Sequence, residues 1–468
     1  MSTDFFILLK SELSVSLLIF ILLILKVWDG IKENSTYLHL TNLLLLLNFA
    51  LGFMFQTNGE LFSGMFHTSN LINFEKTLLN FGVFLISLQS YDWLKSHKHV
   101  PEFFILLLST LLGMFFMISS GNFLMFYLGL ELASIPLAAL VNFDLEKLKS
   151  SEAGVKMILL SAFSSCILLF GISLLYGATG TLNFNELPAL IAAGHLQILS
   201  LIFIFTGFAF KLSAVPFHLW TADVYEGAPV SITSYLSVIS KAAIVFVFIS
   251  VLAPLFLNFP KLWYSILFLV IILTITVGNL FAIRQDNIKR FLAFSSIAQA
   301  GYILLGLSAG NQLGSTSTLY FLLVYVFSNL GAFGVVGIVS AYTNKENISD
   351  YRGFYKTNPF LSWVLAIALF SLAGVPPTAG FFGKMFLVTA GASYGNYTLV
   401  ILAALNMIVS LYYYLRVVKA MMVDSNENPL PKIQASNSAR LSLILCFAGT
   451  IVIGFASCIY DYIQSLTY

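Results

Sequence analysis

From Phe5 onward the chain alternates apolar runs with short polar breaks, and no polar stretch is longer than a connector. A hydrocarbon core about 30 Å thick is crossed by roughly twenty apolar residues in a helix. Within that core every backbone N–H and C=O must be satisfied inside the segment, which leaves helices or closed barrels. Barrel strands would show about ten residues of alternating polarity, and that pattern is absent. With 59% hydrophobic and 9% charged residues among 468, a charged soluble surface is excluded. The sequence therefore predicts an all-α integral membrane protein.

The runs place spans at 5–25, 36–55, 70–91, 101–119, 121–142, 152–176, 197–219, 229–252, 262–283, 288–309, 316–341, 358–390, 396–423 and 437–460, about fourteen helices. The first has no basic leader and no small-residue cleavage site, so it is expected to be retained. Lys and Arg should collect in cytoplasmic loops. Counting alternate connections, one side holds Lys26, Lys32, Lys95, Lys98, Lys147, Lys149, Arg284, Lys289, Arg290, Lys345, Arg352, Lys356, Arg416, Lys419, Lys432 and Arg440. The other holds Lys10, Lys76 and Lys261. One missed helix would exchange the sides of everything after it, so the asymmetry supports the layout and puts both termini on the outer face.

Four lysines remain, Lys156, Lys211, Lys241 and Lys384, all within spans, and Glu131 is the one acid read as lying deep in a span. A lysine at a helix centre costs roughly 2.5–3.5 kcal/mol to insert, against about 0.3–0.6 returned per Leu, Ile or Phe. The default for such a group is a functional position facing the bundle interior. The competing reading is a long stem reaching the interface, strongest for Lys156 near the start of its span. Glu131 is too short for that, and its alternative is a protonated acid bonded to a neighbouring helix. A lysine removed from water can load and release a proton near neutral pH, and a carboxylate nearby opposes the release. Two charges about 7 Å apart at an effective dielectric near 20 interact by roughly 2.4 kcal/mol, so Glu131 could switch Lys156 or Lys211.

Two spans contain breaks. GFAFKLSAVPFHLW carries Pro216 five residues after Lys211, and SLAGVPPTAGFFGKMF carries Pro376-Pro377 before Lys384. Proline removes a helical hydrogen bond, leaving polar backbone that water satisfies if the break lines a cavity. The two breaks lie in the seventh and twelfth spans, five places apart in the helix order, which fits an inverted-repeat transporter plan. His218 follows Lys211 by two helical turns, about 10 Å along one face. It is a candidate relay or a histidine bonded at a helix end. Asp223 and Glu226 read as solvated or capping side chains.

Cys166, Cys446 and Cys458 lie in apolar helices without metal or redox spacing. No nucleotide, hydride or hydrolytic motif is legible.

The stretches YLGLELASIPLAAL, EAGVKMILLSAFSSCILLFGISLLYGATGT, FKLSAVPFHLWTADVYEGAPVSITSYLSVISKAA and GVPPTAGFFGKMF resemble, in order and spacing, the chain N or subunit 2 family of respiratory NADH:quinone oxidoreductase, complex I. This family belongs to the antiporter-like membrane subunits, and the similarity covers most of residues 100–425. The resemblance implies fourteen helices with inverted five-helix repeats at helices 4–8 and 9–13, and broken helices 7 and 12. The corresponding segments are 1–100 for three N-terminal helices, 101–252 and 253–425 for the repeats, and 426–468 for a loop and helix 14. Carried over by position, Glu131, Lys156, Lys211, His218, Lys241 and Lys384 resemble the family's proton-relay residues. Gln299 departs from the pattern, since the family often has histidine there, and an amide cannot titrate. The relay would then need water or Lys289 at that point.

The implied function is proton translocation driven by electron transfer in partner subunits. This chain is expected to hold no cofactor, with NADH, FMN, iron–sulfur clusters and quinone bound by its partners. Expected partners are the antiporter-like chain M, small membrane chains, protons and the bilayer, and no nucleic acid. The implied location is a bacterial inner membrane. The alternative is a subunit of a multisubunit cation/proton antiporter or membrane-bound hydrogenase.

Overall fold

The computed structural model describes all residues except 1–2, 29–32, 55–57, 192–193, 257–258, 394, 396 and 468. Lys32 of the basic loops and the span ends at 55 and 396 lie outside the described residues.

Twelve helices among the described residues are long and apolar enough to cross a membrane. They are α1 (Lys10–Trp28), α3 (Asn70–Gln89), α4 (Val100–Ile118), α5 (Phe123–Val141), α6 (Leu148–Thr179), α7 (His195–Leu212), α9 (Val230–Leu255), α10 (Pro260–Ile283), α11 (Ile288–Leu307), α12 (Gln312–Thr343), α15 (Tyr397–Met422) and α16 (Asn437–Phe455). The predicted second span is the less apolar α2 (Asn34–Leu51). The predicted twelfth span is two half-helices, α13 (Pro359–Ala373) and α14 (Ala379–Ala392). The seventh ends at Leu212 and resumes as α8 (Leu219–Gly227).

Three local features differ from the sequence reading. A hairpin, β1 (Gly59–Leu61) with β2 (Phe66–Thr68), interrupts the all-helical pattern. Residues Leu236–Ser240 and Phe248–Leu252 of α9 are π-helical. The last span stops at Phe455 and a separate helix, α17 (Ser457–Leu466), follows.

Asparagine side chains cap the starts of α5, α11 and α12, which matters where backbone donors would otherwise face the lipid boundary. Asn122 accepts from Met125 N at 2.8 Å, and Asn311 accepts from Gly314 N at 3.0 Å. Asn287 accepts from Lys289 N and Arg290 N at 2.9 and 3.1 Å.

The chain forms two compact units: Met1–Phe84, Leu94–Lys211 and Ile239–Pro260 in one, and Leu85–Trp93, Leu212–Val238 and Lys261–Tyr468 in the other. In the first, α4 and α5 approach at a small-residue seam. A Cβ on Gly129 would stand 2.6 Å from Met117 N, so no larger residue fits between these backbones. In the second, α11 and α12 are buried on nearly every face, whereas α15 and α16 leave apolar faces uncovered. An all-round apolar helix belongs at the centre of a bundle, and a one-sided one at its rim.

Candidate functional site at the helix breaks

In the first unit, Lys211 occupies the last turn of α7, where a helix end favours a cation. Its Nζ donates to Ser134 Oγ of α5 and Ser161 Oγ of α6, both at 2.7 Å. Lys211 is only 9% exposed. Glu131 precedes Ser134 by three residues, less than one turn along α5, and its Oε1 is buried with no hydrogen-bond partner among the described residues. Ser164 and Ser165 of α6 are also buried, and their hydroxyls are likewise unmatched. A buried lysine, its two hydroxyl partners and, within its electrostatic reach, a carboxylate with spare acceptor capacity therefore lie together in the first unit. Hydroxyls both donate and accept, so they can pass a proton as well as hold a charge.

Lys156 sits elsewhere on α6. It is partly exposed and pairs with Glu152 one turn earlier at 2.6 Å, an i,i+4 contact. Lys241 is buried in α9, directly after the π-helical turn 236–240, in a segment that packs on α4. An extra residue in a helical turn redirects the side chains that follow, and such turns concentrate at functional sites.

In the second unit, α13 ends at Gly374, whose φ of +84° lies in the left-handed region that glycine tolerates. Two buried donors meet the carbonyls exposed by that ending. Lys384 Nζ, from α14, is 3.3 Å from Ala373 O, and Gln299 Nε2, from α11, is 2.9 Å from Leu372 O. Lys384 is fully buried, with its Nζ 4.8 Å from the centre of the Tyr302 ring, close enough for a cation–π contact. Gln299 also donates to Tyr414 OH at 3.1 Å, and that hydroxyl is 2.5 Å from Ser295 Oγ. Gln299 is thus part of a continuous polar row although it cannot titrate. A second row runs through α12. Asn329 donates to Ser237 Oγ at 2.7 Å, Ser237 is 3.1 Å from Tyr325 OH, and Ser328 is 2.6 Å from Ser371 Oγ. Ser371 accepts in turn from Gly380 N across the break at 3.2 Å.

The first break, 213–218, lacks helical structure, and Ser213 there has φ +63°. In the second unit, Val215 N donates to Thr274 Oγ1 at 3.0 Å, and His218 is buried. Asp223 and Glu226 are not solvated caps. Arg290 Nη1 reaches both, at 2.8 and 2.9 Å. Lys289, assigned by sequence to a basic loop, is buried and donates to Ala228 O and Glu346 Oε1 at 3.0 and 3.3 Å.

The sequence reading missed the serines around Lys211, Tyr302, Tyr414, and the Ser328–Asn329 turn. A signal existed for the first group in the hydroxyl cluster SAFSSC of an apolar helix. It also placed Lys76 among outer-loop residues and took Glu131 as the sole deep acid. Lys76, Glu12 and Glu75 are all buried.

A family described as NADH:quinone oxidoreductase/Mrp antiporter, TM, matches residues 120–410, which hold both breaks. The chain is 50% identical over 406 residues to a protein of Phocaeicola vulgatus named NADH-quinone oxidoreductase subunit N, covering 86% of each. Among solved structures it resembles a chain of respiratory complex I from Thermus thermophilus with bound aureothin. That match has a TM-score of 0.83 and 28% identity, covering 96% of this chain and 98% of that one. It also resembles a chain of the membrane-bound sulfane sulfur reductase, an archaeal respiratory membrane complex, with a TM-score of 0.88 and 25% identity over 100% and 97% of the two chains. The span of the family match and the identity to curated relatives over most of their length establish that this chain belongs to the NADH:quinone oxidoreductase/Mrp antiporter family of multi-pass membrane subunits.

Proposed function

We propose that this chain is a proton-translocating membrane subunit of an NADH:quinone oxidoreductase. It would cross the membrane fourteen times, with inverted repeats at 101–252 and 253–425. Electron transfer in partner subunits, which bind NADH, FMN, iron–sulfur clusters and quinone, would alter the charge state near Glu131. That change would load or release the proton held by Lys211. Lys241, Lys384 and His218 would carry protons onward, and Lys156, paired with Glu152, would modulate the Glu131 end. The site would work in a bacterial inner membrane, beside chain M and smaller membrane chains, with both termini outward.

The observation that carries this reading is the set of polar groups around Lys211 in the first unit. Lys211 is held by two hydroxyls, while Glu131, within its electrostatic reach, keeps a buried oxygen without a hydrogen-bond partner among the described residues. A buried charge held by neutral donors and acceptors, rather than locked in an ion pair, can change its protonation state at modest cost. The polar rows through Gln299, Tyr414, Ser328 and Ser371 give a proton successive hydroxyl and amide neighbours in the second unit.

Replacing Lys211 by alanine tests it. The complex should assemble and oxidise NADH, while protons moved per NADH in membrane vesicles fall. Normal pumping by an assembled Lys211→Ala complex would refute the reading. The second reading, a subunit of a cation/proton antiporter or membrane-bound hydrogenase, is favoured by the breadth of the family description, which spans oxidoreductase and Mrp members. Sodium-dependent proton exchange without NADH oxidation would select it.

A further inference from the structure

One cluster of buried ionisable groups takes no part in the function proposed above. In the first unit Lys76 of α3, 1% exposed, lies with Nζ 2.6 Å from Oε1 of Glu12 of α1, itself 3% exposed. Glu12 Oε2 is buried without a hydrogen-bond partner among the described residues. Glu75, next to Lys76 and within its electrostatic reach, is 2% exposed. The rings of Phe66 and Phe115 stand 5.2 and 5.9 Å from the ammonium. Lys10, partly exposed at the start of α1, donates to the Met54 carbonyl.

These helices have neutral links besides the charges. Ser14 Oγ donates to Asn48 Oδ1 and Asn48 Nδ2 to Asn80 Oδ1, each at 2.7 Å, which already ties α1, α2 and α3 together through neutral groups. A buried ion pair adds little net stability, because desolvation offsets the Coulomb gain, and apolar replacements are often neutral or stabilising. Ionisable groups inside a membrane segment are by default functional. With all three ionised, the buried trio carries one net negative charge, which is costly away from water, and the partly exposed Lys10, within electrostatic reach of Glu12 and Lys76, sets against it a positive charge open to screening by solvent. One proton on a carboxylate restores neutrality, and Glu75, buried and outside the 2.6 Å Lys76–Glu12 contact, is the carboxylate placed to take it. Glu12 is the third residue of α1 and Lys76 the seventh of α3, so at about 1.5 Å per residue the cluster lies about 3–9 Å from the helix ends away from the basic loops.

We propose that Glu12, Glu75 and Lys76 form a proton-exchange site near the outer ends of the three N-terminal helices. The site holds one proton beyond the Lys76 ammonium and exchanges it during turnover. The exchange is a plain proton transfer: a carboxylate oxygen gains the proton as a neutral acid and later returns it, with no other bond changing. The inference rests on the proton-translocation reading and adds a station outside the two repeats.

The test uses Glu12→Gln, Glu75→Gln and Lys76→Met in the intact complex, with Lys211→Ala as reference. Two readouts apply: protons moved per NADH in vesicles, and the infrared band of a protonated carboxyl group in the purified complex. The expected result is retained assembly and NADH oxidation, proton movement reduced to the level of Lys211→Ala, and loss of a carboxylic-acid band in Glu12→Gln or Glu75→Gln. Unchanged pumping in all three, or no carboxylic-acid band lost in either glutamine variant, overturns the inference. Should the single variants fail to assemble, Glu12→Gln/Lys76→Met, which removes both charges of the ion pair, is measured in the same way. Failure of that double variant to assemble marks a structural pair and also overturns the inference. If Lys211→Ala pumps normally, the translocation reading fails, while the infrared result still decides whether the cluster holds a proton.

Discussion

Gly129→Ala puts the helix-packing argument at risk. The added Cβ would stand 2.6 Å from Met117 N and 2.8 Å from Gly113 O, both backbone atoms that no rotamer change can move. Reaching the 3.4 Å of ordinary contact requires α4 and α5 to part by about 0.8 Å at this point. Overpacking of this kind costs about 1–3 kcal/mol. Ser134 lies five residues further along α5. If the displacement falls along its hydrogen bond, the 2.7 Å Lys211–Ser134 contact becomes about 3.5 Å, outside hydrogen-bond range. The variant should therefore assemble, unfold at lower temperature and pump fewer protons per NADH. The control is Gly177→Ala, where nothing lies within 4 Å and the helix gains propensity. Vesicle proton uptake and thermal unfolding of both variants decide the matter. If Gly129→Ala behaves like Gly177→Ala in both, the seam does not set the position of α5 and the reasoning is wrong.

Gln299→Leu leaves Leu372 O without its side-chain donor, at about 1–3 kcal/mol, and takes from Tyr414 OH one partner while Ser295 remains. Its thermal stability should fall, and Gln299→His, which keeps a donor, should recover part of it; equal stability of both with the parent protein would remove any role for this amide. Arg290→Leu separates Asp223 and Glu226 from their shared guanidinium, and because all three are partly exposed the loss should be about 1 kcal/mol. Thermal unfolding of Arg290→Leu measures that loss, and an unchanged midpoint would remove any role for this bridge. His97, in the loop before α4, is held below its usual 6.5, chiefly by burial, with Asp144 at 3.8 Å opposing the shift. The neutral ring thus stabilises the fold above the unfolded value of 6.5, and that contribution is lost as pH falls through the lowered folded value. Hydrogen exchange around 95–99 should quicken on acidification, and His97→Asn should flatten that dependence.

The spans were legible because burying backbone in hydrocarbon demands about twenty apolar residues per helix, and that demand is written locally. Both breaks were legible for the same reason, since proline acts on its own helix. Lys211, Lys241 and Lys384 stood out because a charge in an apolar run has a known cost. Partnership is different. Lys76 sits early in α3, where sequence cannot separate a side chain reaching the interface from one buried against Glu12, 64 positions away. Asp223 and Glu226 looked solvated until Arg290, on α11, met them.

The sequence alone determined that this chain lies in a membrane, where its long helices run, and that Lys211, Lys241 and Lys384 lie inside apolar spans, because insertion energies act residue by residue. Only the tertiary structure decided what those groups touch. Lys211 meets Ser134 and Ser161, while Lys384 and Gln299 meet consecutive carbonyls at the end of α13. Hydrogen bonds depend on ångström distances between helices far apart in the chain, and no local preference encodes those distances.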